Sequence, residues 1–200
     1  MTRFRDLTLR FTAAALMFTL AGAVGAQAFA QGTPELIFAN KTVLNVDATS
    51  MDVKIENIPP REYPHVNYRS HVRFEDAARD WAKSHFMLTG NSVNTLQIII
   101  RKGDLVEKLL PVKKGIKGWF TKDQAAEYAA TLELDLALID PNGRVISTAS
   151  GKSSSTQTVT EGATEDDKQA VWSGMIISAF DALDREFQPQ LRQVMAQYIR

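Results

Sequence analysis

The sequence predicts an α+β domain, an antiparallel sheet of about four to five strands with two main helices packed on one face, and three stretches carry that expectation. Residues 128–159 read as a long hairpin. In it Leu132, Leu134, Leu136 and Leu138 alternate with Thr131, Glu133, Asp135 and Ala137, the period-2 pattern of a strand with one buried and one wet face. Residues 72–88 and 164–198 instead repeat apolar side chains at spacings of three and four, the period of a helix with one buried stripe. A sheet with one apolar face and two helices with one stripe each can cover one another in two layers.

The hairpin is central because everything else must pair with it or cover it. Asp140, Pro141, Asn142, Gly143 and Arg144 supply its turn: Pro141 presets φ for a type I turn, and Gly143 can take the left-handed conformation that follows. The return strand, 145–159, is mostly Ser and Thr, which suits an edge or partly solvated strand. A hairpin alone is only marginally stable, so Leu132 to Leu138 require a partner layer.

The first thirty residues are set apart as a leader. Arg3, Arg5 and Arg10 form a basic start, and 11–24 is an apolar run of signal-peptide length. Ala26, Gln27, Ala28 and Ala28, Phe29, Ala30 both fit small-x-small cleavage, which is placed after Ala30 with Ala28 as the alternative. Retention of the run as an inner-membrane anchor is the competing expectation. This divides the chain into a signal peptide, 1–30, and a single periplasmic domain, 31–200. Removing Arg3, Arg5, Arg10 and Asp6 with the leader leaves 20 basic and 22 acidic residues, a net of −2, without the basic excess of a nucleic-acid binder. There is no cysteine, which excludes disulfides, thiolate metal sites, a Cys nucleophile and the acylated Cys of a lipoprotein.

After the leader, short apolar runs around Leu36–Phe38, Val43–Val46 and Val53–Ile55 suggest one or two strands. Residues 58–64 hold three prolines and form a connector expected to cross the surface, with His65 and His71 as loop histidines. In the first helix Phe74, Ala77, Ala78, Trp81, Ala82 and His85 line one side, Ser70 is a candidate N-cap, and His85 sits where the helix dipole favours a cation. A second hairpin is expected over 95–112, with its turn at Lys102, Gly103, Asp104 and Leu105. In the last helix Thr164 and Asp167 resemble a capping box, Trp172, Ile176, Ala179, Phe180, Leu183 and Phe187 trace the stripe, and Pro189 marks a kink or restart.

Chemistry is sparse. Gly151, Lys152 and Ser153 imitate the end of a phosphate-binding loop, but Ile146 stands where its first Gly belongs. No nucleophile elbow, zinc-protease or dinucleotide motif is present, and no cofactor is expected. Glu133 and Asp135 share a wet strand face, and with the loop histidines they are the residues an envelope hydrolase would have to use. The competing candidate is an interaction surface at Lys113, Lys114, Lys117, Trp119 and Phe120, where three lysines, two glycines and adjacent aromatics could rest on an anionic leaflet or dock a partner.

The layout of a Pro-containing connector, a Phe-x-x-Ala-x-x-x-Trp helix (Phe74, Ala77 or Ala78, Trp81), a hairpin, a long hairpin ending in Asp-x-x-Gly-x-Val (Asp140, Gly143, Val145) and a terminal amphipathic helix resembles small bacterial envelope proteins. The groups it resembles are the auxiliary lipoproteins of lipid-trafficking ABC transporters and YajG-type lipoproteins. The resemblance implies a non-catalytic periplasmic accessory module that binds a membrane complex or a lipid-handling partner. The missing acylated Cys departs from that pattern.

Overall fold

A computed structural model describes residues 36–39, 42–111 and 124–199. The leader and the Lys113–Phe120 stretch lie outside the described residues. The elements run β1 (Leu44–Val46), β2 (Ser50–Ile55), a 3-10 turn (Asn67–Arg69), α1 (Phe74–His85), β3 (Phe86–Leu88), β4 (Thr95–Leu109), β5 (Gln124–Ile139), β6 (Val145–Thr160) and α2 (Glu165–Val194). A four-stranded sheet has the order β2-β4-β5-β6, and β1 and β3 form a two-stranded sheet beside it. The fold is α+β, with helices packed on the sheet.

The hairpin forms as its alternation requires. Leu132, Leu134, Leu136 and Leu138 are all fully buried. At the turn, Gly143 adopts φ of 81° and the Asp140 carboxylate accepts from the amides of Asn142 and Arg144 at 2.9 Å each. Those two bonds do what an Asx turn does, replacing backbone partners with a short side chain. β6 ends the sheet, the edge position its Ser and Thr content suits.

α2 covers the apolar face. Its stripe, Trp172, Ile176, Ala179, Phe180, Leu183 and Phe187, is buried to the last residue. Thr164 and Asp167 form the capping box, with Thr164 Oγ1 accepting from the Asp167 amide at 3.1 Å and Asp167 Oδ2 accepting from the Thr164 amide at 2.9 Å. The helix runs through Pro189 without a break. The carbonyl a proline leaves free, four residues back, belongs to exposed Arg185, where water can replace the lost donor.

Residues 95–109 correct the expected second hairpin: they form one continuous strand that pairs with β5 along its whole length. Gly103 does not turn. It makes room, because a Cβ there would lie 2.8 Å from Cγ of the Phe74 ring. An extra residue, Arg101, is bulged between Ile100 and Lys102, so that Ile98 and Ile100 before it and Leu105 after it all reach the buried face. β2 joins β4 in parallel, as β1 joins β3, and α1 lies in the crossover between the paired strands.

Helix α1 is shorter than its periodicity suggests. It ends at His85, and Phe86–Leu88 pass directly into β3. Ser70 is not its cap: Arg73 occupies that position with no side-chain bond, and Ser70 Oγ donates to the carbonyl of Val72 at 2.8 Å. His85 is buried against Trp81, with ring centroids 5.3 Å apart, and its Nε2 lies 3.7 Å from Asp184 of α2, so it is a core residue rather than a solvated helix-end cation. The last turn of the chain returns to the beginning. Ile199 bridges Val46 antiparallel, and the amide of Asp47 donates to the carbonyl of Tyr198 at 2.8 Å. Among the described residues no helix is long and apolar enough to cross a membrane.

Candidate functional site

The connector between β2 and α1 is more than a surface crossing. Beyond the end of β2 the outer side of β4 is exposed to pairing, and residues 64–67 take its place: Val66 N–H donates to Leu105 C=O, and Glu107 N–H donates to Pro64 C=O, both at 2.8 Å. Asn67 completes the graft, its amide donating to Gly103 C=O and its carbonyl oxygen accepting from Leu105 N–H, each at 2.8 Å. On the α2 side, Gln169 brackets the next turn by donating to Arg69 C=O and accepting from His71 N–H. Arg69 grips Glu165 through both carboxylate oxygens and lies over the Trp172 ring at 5.3 Å. From Pro64 to His71 the connector thus has backbone partners on both β4 and α2.

Between this connector, the start of α1 and the bulge of β4 lies a cleft of about 250 Å³. Phe74, Ile100 and Leu105 form its buried floor, while Ile58 and Tyr68 stand at its rim, 80% and 51% exposed. Tyr63, on the same connector, is 62% exposed, so three large apolar side chains project from one pinned loop. Of the polar side chains within, Asn67 and Ser70 are used on backbone groups and Arg73 on Asp76 and Glu75. Arg61 alone among the lining cations has no acidic partner among the described residues. Small-molecule pockets are usually about 300–1,000 Å³. This cleft is smaller and suits one or two apolar side chains.

The carboxylates considered for hydrolysis are engaged elsewhere. Glu133 accepts from Lys152 Nζ at 2.7 Å, and that bond holds its carboxyl below the ordinary range, the wrong direction for a general acid. Asp135 accepts from Arg101, which also binds Glu56. His65 pairs with Asp104 at 2.8 Å beneath the connector, while the side chain of exposed His71, six residues on, has no acidic partner among the described residues. Among the described residues no group of three metal-binding side chains is assembled. Tyr128 is pushed well above its ordinary value by burial and then by its bond to Glu107, so it stays a phenol and a donor.

Of the anticipated interaction surface, Lys113, Lys114, Lys117, Trp119 and Phe120, only the flanks are described. Leu110 N–H donates to Ala125 C=O where β4 ends and β5 begins, and exposed Leu109 lies two residues from Glu107, the partner of Pro64. The sequence did not indicate the cleft, because its floor comes from β4 and α1 and its wall from the connector. A weak signal existed in Ile58 and Tyr63, two large apolar residues among prolines, where a solvated loop would be polar.

No protein-family model matches the chain, and no curated protein matches it in sequence. Several solved structures resemble it weakly. A minor lipoprotein from Acinetobacter baumannii is 12% identical over 74% of this chain and 92% of that one, with a TM-score of 0.36. A Xanthomonas campestris protein of the DUF330 family is 16% identical over 72% and 85%, with a TM-score of 0.32. A homolog of neuraminyllactose-binding hemagglutinin from Helicobacter pylori is 10% identical over 82% and 92%, with a TM-score of 0.40.

Proposed function

We propose that this protein is a non-catalytic interaction module of the bacterial cell envelope, accessory to a transport or assembly complex, which seats an apolar side chain of its partner in the cleft under the connector. The observation that carries this is the combination of exposed Ile58 and Tyr68 with a preformed apolar floor, on a loop fixed from both β4 and α2. Anchors of this kind concentrate binding energy in few residues when the receiving pocket is already ordered. The basic start and apolar run of the leader support an exported location. In this reading Lys113, Lys114, Lys117, Trp119 and Phe120 belong to the same working surface; exposed Leu109, at the end of the strand that leads to them, is two residues from Glu107, the partner of Pro64.

The test is capture of partners from envelope extracts with wild-type protein, Ile58→Asp and Tyr68→Ala as baits. A partner that wild type retains should be weakened by about 2 kcal/mol or more in the Tyr68→Ala variant. Thermal stability should stay within about 0.5 kcal/mol, as for other exposed positions. Equal retention by all three baits removes the cleft from the interface. Replacing the three lysines by Gln should weaken a membrane-borne partner by about 1 kcal/mol per charge, less as salt rises.

A further inference from the structure

We propose that the outer edge of β6 joins two copies of this chain, antiparallel about a two-fold axis at Ser153, so that their sheets run on as one. This edge is separate from the cleft, at the other end of the strand order, and the proposal does not depend on the cleft having a partner. β6 is sixteen residues long, and among the described residues no strand pairs with its outer side. Natural edges of that length are normally blunted by prolines, by charges or by a covering element. β6 has no proline within it and only one charged residue, Lys152, which pairs with Glu133 of β5.

The side chains of β6 choose the occupant. The face away from the helices carries Thr148, Ser150, Lys152, Ser154, Thr156 and Thr158, the residues in register with Ala137, Asp135, Glu133, Thr131, Ala129 and Glu127. Two copies centred on Ser153 set Lys152 opposite Ser154 of the second copy, Ser150 opposite Thr156, and Thr148 opposite Thr158. Hydroxyl pairs of this kind are favourable across strands, whereas like charges directly opposite are not. Centring on Lys152 gives the same length of overlap but faces lysine with lysine. The Ser153 register avoids that contact and pairs residues 146 to 160 with both helix layers on one side. Ser153 itself stays available for its own core, its hydroxyl donating to Ala179 C=O at 2.6 Å.

Sedimentation velocity of the purified protein over a concentration series tests the proposal through Ser154, which is exposed on its own subunit. A dimer is expected. Ser154→Lys, which creates two lysine contacts across the axis, should raise its dissociation constant about tenfold, and Ser154→Glu should lower it by a similar factor. The chain has no cysteine, so Lys152→Cys and Ser154→Cys proteins can be mixed under mild oxidation. A disulfide should form in the mixture and not in either protein alone, because only the mixed pair is brought face to face. A protein that stays monomeric at about 100 μM, far above the working range of a stable dimer, overturns the proposal. So does a dimer indifferent to both charge substitutions, or one that cross-links equally without mixing.

Discussion

Along β4, the outer backbone groups are taken first by β2, from Ser50 to Ile55, and then by the connector at Pro64 to Asn67, with the Arg101 bulge marking the change of partner. Along β6, at the opposite limit of the sheet, sixteen residues, nine of them Ser or Thr, have no described strand on their outer side. The two edges share one core, since α1 meets β2 and β4 while α2 lies across β5 and β6. Their difference teaches where this protein spends its breakers. Proline and asparagine finish the β4 edge, where a cleft is built, and hydroxyls leave the β6 edge wet and regular.

Removing what both edges share should have the largest effect. Trp172 is fully buried and in edge-on contact with Tyr128, so Trp172→Ala should cost about 3–5 kcal/mol, a large part of an ordinary domain's stability. Denaturant midpoints check this, and a midpoint that barely moves would remove α2 from the core.

The next test compares the edges directly through their close-approach glycines. Gly103→Ala on β4 places a Cβ against Cβ and Cγ of Phe74, at 2.9 and 2.8 Å, and should cost about 1–3 kcal/mol. Gly151→Ala on β6 meets the Leu183 Cδ1 tip at 2.7 Å and the Phe187 ring edge at 2.9 Å. The leucine tip can swing aside, so roughly half that cost is expected. Any gain from replacing a strand glycine is common to both and cancels in the difference. If thermal unfolding ranks them the other way, the Phe74 contact is looser than described.

Asn67→Ala leaves the Leu105 amide and the Gly103 carbonyl without their side-chain partner and should cost about 1–3 kcal/mol, against about 1 kcal/mol for Ser153→Ala on the β6 side. Amide exchange at Leu105 should accelerate in the first variant only. Unchanged exchange would mean that the connector is not held by Asn67.

The smallest effect lies at the β5–β6 turn. Hydrogen bonds from the Arg144 amide and side chain and from the Asn142 amide lower the Asp140 carboxyl below its ordinary value of 3.8. A group whose folded value is depressed stabilises the fold above its unfolded value and loses that contribution as the pH falls through the folded one. The turn should therefore loosen only below the ordinary aspartate range. A carboxyl titration followed by NMR with a midpoint at or above that range would show an open turn.

Much of the architecture was legible because it was periodic. The β5 leucines, the α2 stripe and the Thr164–Asp167 cap are local patterns, and local patterns survive folding. Gly103 misled because Lys102, Gly103 and Asp104 have the composition of a turn, and only the neighbouring Phe74 ring shows that the glycine is there for space. Phe86 to Leu88 continued the helical apolar spacing, but pairing in parallel with Leu44 to Val46 drew them into a strand, a contact no local pattern announces. The cleft was hidden for the same reason. Glu133 and Asp135 looked available on a wet face until Lys152 and Arg101, from the flanking strands, came into register.

The bridge between Val46 and Ile199 has a consequence in time. β1 is made early, yet its neighbourhood is completed by residues that leave the ribosome roughly 150 positions later, and the Asp47 amide waits for Tyr198. Contacts this distant in sequence are slow to form, because the loop must close before either end is rewarded. A growing chain can pair β1 with β3 once Leu88 has been made, but the other side of β1 closes only when Tyr198 and Ile199 arrive.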